Sequence, residues 1–195
     1  MDEETIRVYD ARAGEYADVT ASDKPGRLLG TFIDALPKGG LVLDLGCGPG
    51  IAAGWMAKAG LSVVAIDASA EMVALAAKNP GVSAQQAVFE DLDAVDRYDG
   101  IWANFSLLHA PRADMPRHLA AIQRALKPGG LFQIALKTGT GEKRDPIGRY
   151  YSYYSEAELL HLLHDAGFTP TKCIHGSDKG LDGVVADWIS VASHG

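Results

Sequence analysis

Residues 41–50 read LVLDLGCGPG and decide the fold. The first five, apolar except for Asp44, have the length and composition of a short buried strand. Gly46, Gly48 and Gly50 follow, and glycine lets the backbone turn sharply and approach a ligand closely. A strand that runs through such a turn into a helix places the turn at the carboxyl edge of a parallel sheet, where ligands of α/β proteins bind.

Apolar runs alternate with helical patterns on both sides of this stretch, which predicts an α/β fold with a parallel sheet flanked by helices. The last two strands are joined by a loop too short for a helical crossover, so we expect them to pair antiparallel. Beyond residues 41–45, the predicted strands are residues 62–67, 83–89, 98–104, 131–137, 169–175 and 184–192.

Two segments of the chain do not follow the predicted alternation of strands and helices. Residues 1–36 are expected to be helical, with one helix ahead of Pro25 and a second after it. Residues 138–154 are expected to form a long polar and aromatic loop, and loops of that length tend to be functional or mobile. After that loop, Ser155 and Glu158 have the spacing of a capping box that starts a helix. The other predicted helices are residues 51–59, 69–78, one from 114 to about 126, and one from about 156 to 166.

Composition limits the classes of protein to consider. A chain of 195 residues suits one domain with a full core. Its apolar runs are too short to span a bilayer and its first residues are acidic, so we expect a soluble cytoplasmic protein with no membrane contact. The net charge of −7, with 18 scattered Lys and Arg, disfavours a nucleic-acid partner. The two cysteines predict neither a disulfide nor a metal site.

Two cofactor classes use a glycine turn of this kind. Gly48, Gly50 and Ala53 satisfy the loose dinucleotide pattern G-x-G-x-x-G/A, so an NAD(P)-dependent oxidoreductase is one alternative. Asp44 argues against it, because a carboxylate at the strand end would repel a pyrophosphate and suits an ammonium group instead.

Three motifs, in order, resemble those of the class I S-adenosylmethionine (SAM)-dependent methyltransferases, such as the ubiquinone/menaquinone and tellurite enzymes. They are residues 44–50 (DLGCGPG), 67–72 (DASAEM) and 125–131 (ALKPGGL). The resemblance implies a Rossmann-like, doubly wound sheet of seven strands, mostly parallel with the last strand antiparallel, and helices on both faces. It implies one domain over residues 1–195, in which residues 1–36 cover the cofactor and residues 138–154 face the substrate.

The function implied by the resemblance is transfer of the SAM methyl group to a small molecule by in-line displacement. The chain is then expected to act as a monomer or homodimer. A SAM-binding protein without transferase activity is a second alternative. A methyltransferase acting on protein or nucleic acid fits the acidic charge less well, and residues 101–109 lack the N/D-P-P-Y/F pattern of enzymes that methylate adenine or glutamine amides.

The predicted cofactor site follows from the motifs. Asp67 ends a strand about 20 residues beyond the glycines, where an acid can accept both ribose hydroxyls. The resemblance further implies that Met72 packs on adenine and that Phe89 and Glu90 lie near the base. The full set of predicted cofactor residues is Tyr16, Asp44, Gly46, Cys47, Gly48, Asp67, Ala68, Met72, Phe89, Glu90 and Asn104.

The predicted substrate side is less well marked. His109 follows the fourth strand and is a candidate general base, because the pKa of free histidine is close to neutral; packing is the alternative role. Tyr9 shares a helical face with Tyr16, and Arg149 is a candidate partner for a substrate anion. The predicted substrate residues are Tyr9, His109, Arg149, Tyr150 and Tyr153.

Overall fold

Nine strands form two sheets in the computed structural model, which describes residues 2–195. The strands are β1 (Leu41–Leu45), β2 (Ser62–Asp67), β3 (Val82–Gln86), β4 (Tyr98–Asn104), β5 (Leu126–Lys137), β6 (Glu142–Arg144), β7 (Tyr150–Ser152), β8 (Thr169–Lys179) and β9 (Val185–His194). Seven of them form one sheet in the order β3-β2-β1-β4-β5-β9-β8. Strands β1 to β5 pair in parallel, whereas β9 is antiparallel to both β5 and β8. The predicted Rossmann-like sheet with an antiparallel last strand is confirmed.

Helices cover both faces of this sheet. They are α1 (Glu3–Ala11), α2 (Ala13–Thr20), α3 (Arg27–Asp34), α4 (Ile51–Lys58), α5 (Ala70–Ala76), α6 (Met115–Ala125) and α7 (Glu156–Asp165). Leu119 of α6 packs with Leu43 in one core cluster, and Phe32 of α3 and Met56 of α4 pack with Val42 in another. Consecutive strand residues point to opposite faces, so β1 contributes to both clusters.

The two unusual segments differ from expectation. The N-terminal segment forms three helices rather than two, because the backbone leaves the helical region at Arg12 (φ −120°, ψ 19°). Residues 138–154 are not a plain loop, since β6 and β7 pair there as an antiparallel hairpin. Each strand is only three residues long, too short for its alternation to be recognised in the sequence.

Three strand boundaries also shift. Strand β3 ends at Gln86, and Phe89 lies in a separate short turn, Phe89–Asp91. Strand β5 starts at Leu126, whose partner is Tyr98, and so includes the residues predicted to form the turn before it. Strand β8 extends to Lys179, where it pairs with Val185.

The predicted capping box is confirmed. Ser155 and Glu158 form the capping box of α7, with the Ser155 Oγ accepting from Glu158 N. Cys47 and Cys173 are both free. Within residues 2–195, no helix combines the length and the apolar character needed to cross a membrane.

Candidate functional site

A cavity of about 750 Å³ opens at the carboxyl ends of β1, β2 and β4. Its wall includes Asp44 and Gly46 after β1, Asp67 after β2 and Asn104 at the end of β4. This volume is within the range of small-molecule sites, and the position is the one at which parallel α/β sheets bind ligands. We call this cavity the cleft.

The glycine turn can take its path only because its residues lack side chains. Gly46 and Gly50 have φ values of 76° and 79°, which residues with a Cβ rarely adopt. A Cβ on Gly46 would lie 2.3 Å from Ser106 Cβ, and one on Gly50 would lie 2.7 Å from the backbone of Ala76. The amides of Gly46 and Cys47 both donate to Ile66 O, at 2.8 and 2.9 Å, which fixes the turn to β2.

Asp44 lines the cleft and has a buried carboxylate oxygen without a partner among the residues described. The residue is only 2% exposed, and its Oδ2 has no hydrogen-bond partner among residues 2–195. Burial raises the pKa of Asp44 to about 7. Asn104 Oδ1 is a second buried acceptor with no partner in the described part of the chain. A buried acceptor without a partner is costly, so both atoms are suited to a ligand that supplies donors, as the ammonium group of a methionine moiety does.

Asp67 holds the neighbouring strand end in place. Its two carboxylate oxygens accept from Gly48 N at 2.8 Å and from Ser69 N at 2.9 Å. Burial raises the pKa of this carboxyl as well. Each oxygen keeps a free lone pair for a further donor, and this is the arrangement that a ribose with two hydroxyls requires.

Most of the other predicted cofactor residues are brought together. Ala68, Met72 and Phe89 are buried in the cleft wall, and the Tyr16 ring lies close to Gly48, whose added Cβ would be 3.5 Å from its Cε1. Glu90 is not brought to the cleft. Its carboxylate lies on the α6 side, 3.6 Å from Arg117 Nη2, because the short turn after Phe89 directs it away.

His109 lies at the other end of the cleft and is 5% exposed. Its Nδ1 is 2.7 Å from the carbonyl oxygen of Tyr150, so Nδ1 carries the proton and donates. Its Nε2 therefore accepts from the Tyr9 hydroxyl at 2.9 Å. Burial lowers the pKa of His109 to about 4, so the ring is neutral at pH 7. The structure thus places Tyr9 Oη on the ring nitrogen that a direct general base would need free.

Arg149 has an internal partner. Its guanidinium pairs with Asp145 at 2.7 Å, and both side chains are at most 4% exposed. It also donates to Tyr9 Oη at 3.1 Å. The predicted ion pair between Arg149 and a substrate is therefore not favoured by this arrangement, since its charge is already neutralised.

Tyr150 and Tyr153 do not reach the cleft. The Tyr150 ring lies 5.8 Å from the Arg144 guanidinium, and Tyr153 packs against Gly139. Tyr151 instead contacts His109, with 4.7 Å between the ring centroids. Consecutive residues of β7 alternate in direction, so Tyr150 and Tyr151 lie on opposite faces of the hairpin.

A second cavity of about 150 Å³ adjoins the cleft, and we call it the side pocket. Sequence reasoning missed most of the side chains that line it. Its wall includes the aromatic side chains of Tyr9, Tyr16, Phe105, Tyr151 and Trp188 and the charged side chains of Lys137, Arg149, Asp178 and Lys179.

Helix α1 connects the two ends of the cleft. Asp10 accepts from Ser69 Oγ at 2.5 Å on the Asp67 side, and Thr5 Oγ1 accepts from Tyr150 N at 2.8 Å on the His109 side. With Tyr9 between them, this helix lies over the cleft and supplies part of its wall.

Comparison with known proteins identifies the chain's relatives. A family model described as a methyltransferase domain matches residues 42–130. A ubiquinone biosynthesis O-methyltransferase from Xanthomonas axonopodis pv. citri is 36% identical over 187 residues, which are 82% of this chain and 77% of that protein. A dimethylglycine N-methyltransferase from Parasynechococcus marenigrum is 33% identical over 137 residues, which are 63% of this chain and 48% of that protein. The chain spans about half the length of several curated relatives that it matches.

Solved structures share the fold. One is the 1,6-didemethyltoxoflavin-N1-methyltransferase of Burkholderia thailandensis with bound 1,6-didemethyltoxoflavin and S-adenosylhomocysteine. It superimposes with a TM-score of 0.75 at 23% identity, over 97% of this chain and 87% of that one.

Proposed function

Because the chain belongs to the class I SAM-dependent methyltransferases, we propose that it binds SAM in the cleft and methylates a small-molecule acceptor. One observation carries the proposal. The buried, unpartnered oxygen of Asp44 shares the cleft with Asp67, so a carboxyl group stands at each of two neighbouring strand ends. An ammonium group and a ribose diol, both present in SAM, are suited to these two positions.

The chain's own residues would bind and orient the cofactor. Asp44 and Asn104 would accept from the methionine end, Asp67 would accept from the ribose, and Met72 with Phe89 would pack on the adenine. When bound, SAM supplies a methyl group that its positive sulfur has already activated. The protein then mainly has to align the acceptor and exclude water.

Tyr9 and His109 provide a route for the acceptor's proton at the His109 end of the cleft. The acceptor's proton passes to Tyr9 Oη while the Tyr9 proton passes to His109 Nε2, which is free of a proton at pH 7. A histidine of low pKa is a weak base. It suffices here because the acceptor becomes a much stronger acid as its new bond to carbon forms. His109 is thus a positioning residue that acts through Tyr9.

A small acceptor is favoured by the shape and charge of the molecule. The cleft is a cavity of about 750 Å³ in a chain of net charge −7. Relatives named for ubiquinone biosynthesis and for dimethylglycine act on small molecules, in keeping with this proposal.

Calorimetry followed by a labelled-product assay tests the function. We expect wild-type protein to bind SAM and to label at least one compound in a metabolite extract incubated with methyl-labelled SAM, detected by mass spectrometry. Asp67→Ala should weaken SAM binding by roughly 10- to 100-fold, because two ribose hydroxyls lose their acceptor. Asp165→Ala, on the exposed face of α7, is the matched control.

Two results would redirect the assignment. Binding of SAM with no labelled product from any extract would favour a SAM-binding protein without transferase activity. Binding of NADH in place of SAM would favour an oxidoreductase.

A further inference from the structure

The side pocket is lined by aromatic rings and lies beside the cleft. It shares Tyr9, Tyr16, Phe105 and Trp188 with the cleft, but none of the strand-end residues that would hold the cofactor. A ligand in the side pocket would therefore contact the same aromatic wall as one in the cleft while leaving the adenosyl positions free. An apolar protein cavity of about 150 Å³ takes one benzene-sized ring. Its size and walls thus suit a single ring of an acceptor.

Lys137 brings a charge into this aromatic pocket. It ends β5 and is half-buried, with its Nζ 4.1 Å from the centroid of the Tyr151 ring. Within residues 2–195, no carboxylate oxygen lies within 4.0 Å of Lys137 Nζ. Lys127, at the start of the same strand, shows the contrast, because it pairs with both oxygens of Asp99 at 2.8 Å. A half-buried ammonium that lacks such a partner is a candidate for binding an anion from outside.

Among the described residues that line the side pocket, Lys137 is the half-buried cation without an ion pair, whereas Lys179, the other lysine in its wall, is exposed. Arg149 is neutralised by the buried Asp145. Asp178, the acid in the wall, accepts from Trp188 Nε1 at 2.7 Å. Burial lowers the pKa of Lys137, with Asp182 acting in the opposite direction and Arg149 adding to the decrease, and an anion bound beside the ammonium group would raise this pKa again.

We propose that the methyl acceptor is an aromatic carboxylate whose ring fills the side pocket and whose carboxylate pairs with Lys137. This inference rests on the proposed function, because it names the acceptor of the same site. Tyr9 borders both cavities, so the acceptor's hydroxyl or amine would face the proton route through Tyr9 and His109. Phe105 and Trp188, which pack edge to face with 6.0 Å between their centroids, would form one wall against the ring.

A paired set of probes tests this proposal. The probes are monohydroxybenzoates and aminobenzoates, each compared with its uncharged carboxamide, added to protein saturated with S-adenosylhomocysteine. Binding is followed by tryptophan fluorescence and by calorimetry, and methylation with SAM by mass spectrometry. We expect at least one carboxylate to bind about tenfold or more tightly than its amide.

Variants assign the preference to Lys137. Lys137→Met should abolish the preference for the carboxylate over its carboxamide, so that the two bind equally. Lys137→Arg should keep most of this preference. Lys143→Met is the matched control, since Lys143 also lies over a tyrosine ring, 4.9 Å from the centroid of Tyr153, but outside both cavities. All three variants should keep the wild-type affinity for SAM, which also shows that they are folded.

The possible results separate the two proposals. If SAM binds but no carboxylate is preferred, or if the preference survives in Lys137→Met, the acceptor class is overturned and the methyltransferase assignment stands. If SAM does not bind to the wild-type protein, the proposed function fails before the acceptor is considered.

Discussion

Asp44 shows how a functional residue can oppose stability. Burial raises its pKa to about 7 in the ligand-free protein, whereas the unfolded chain titrates near the ordinary value of 3.8. Between these pH values the folded state binds the proton more tightly. The contribution of this group to the free energy of unfolding is therefore fully present below about pH 4 and is lost as the pH rises through about 7.

Asp44→Asn should therefore raise stability and remove function. At pH 8 we expect the free energy of unfolding of the ligand-free protein to increase by about 1–3 kcal/mol, because a buried charge is removed. The gain should shrink toward pH 6. SAM affinity should fall by roughly 100-fold. Urea unfolding at the two pH values and calorimetry measure both effects, and a variant less stable than wild type at pH 8 would contradict this account of Asp44.

The hydrogen bond between Tyr9 and His109 can be tested by substitution. Tyr9→Phe keeps the ring and removes the hydroxyl between the acceptor and His109. For an acceptor that must lose a proton, we expect kcat to fall by roughly 100-fold, with SAM affinity nearly unchanged. Wild-type kcat should also decrease as the pH is lowered through about 4, because a protonated imidazole accepts no proton. Wild-type turnover in Tyr9→Phe would reduce the pair to a packing role.

Helix α1 is the element on which the site depends, because it spans the cleft from Ser69 to Tyr150. Thr5 is 1% exposed, and its Oγ1 accepts from Tyr150 N and donates to Asp2 at 2.7 Å. A buried backbone amide left without its acceptor costs about 1–3 kcal/mol.

Thr5→Val, which is nearly isosteric, should therefore loosen α1. We expect faster amide hydrogen exchange over residues 3–11 and a smaller free energy of unfolding by about 1–3 kcal/mol. Thr31→Val on α3 is the control, since that exposed hydroxyl bonds only within its own helix, to Arg27 O. Equal exchange over residues 3–11 in the two variants would show that the Thr5 contact does not hold α1 in place.

At the scale of elements, the sequence predicts the sheet better than the segments that cover it. The side chains of residues 41–45 are buried on both faces of the sheet, so their apolar run is a strong signal for a strand. The glycines that follow are recognisable because a Cβ at Gly46 or Gly50 would clash with its neighbours. The β6–β7 hairpin has no such signal, because Glu142–Arg144 is wholly exposed. Its position depends on contacts far apart in sequence, such as Tyr150 with Thr5.

The residues of the candidate site also differ in how well the sequence predicts them. Residues attached to the first two strand ends, such as Asp44 and Asp67, lie where their motifs predict. Lys137 and Trp188 were missed, because only the antiparallel pairing of β5 with β9 brings these two residues opposite each other. The monomer or homodimer expected from the sequence stays a prediction.

For the whole molecule, cofactor binding should appear as stabilisation. A ligand at about 1,000 times its Kd adds about 4 kcal/mol to the free energy of unfolding. For a chain of this length we expect the Tm to rise by roughly 8–16 °C with SAM and to stay unchanged with NADH. Differential scanning fluorimetry measures both shifts, and a rise with NADH alone would contradict the cofactor assignment.

The most direct measurement is a crystal structure of the protein with S-adenosylhomocysteine. We predict that its amino group contacts Asp44 Oδ2 and that its ribose hydroxyls contact Asp67, with the adenine between Met72 and Phe89. A ligand bound elsewhere, or one in the cleft that leaves both carboxylates without a contact, would contradict the account.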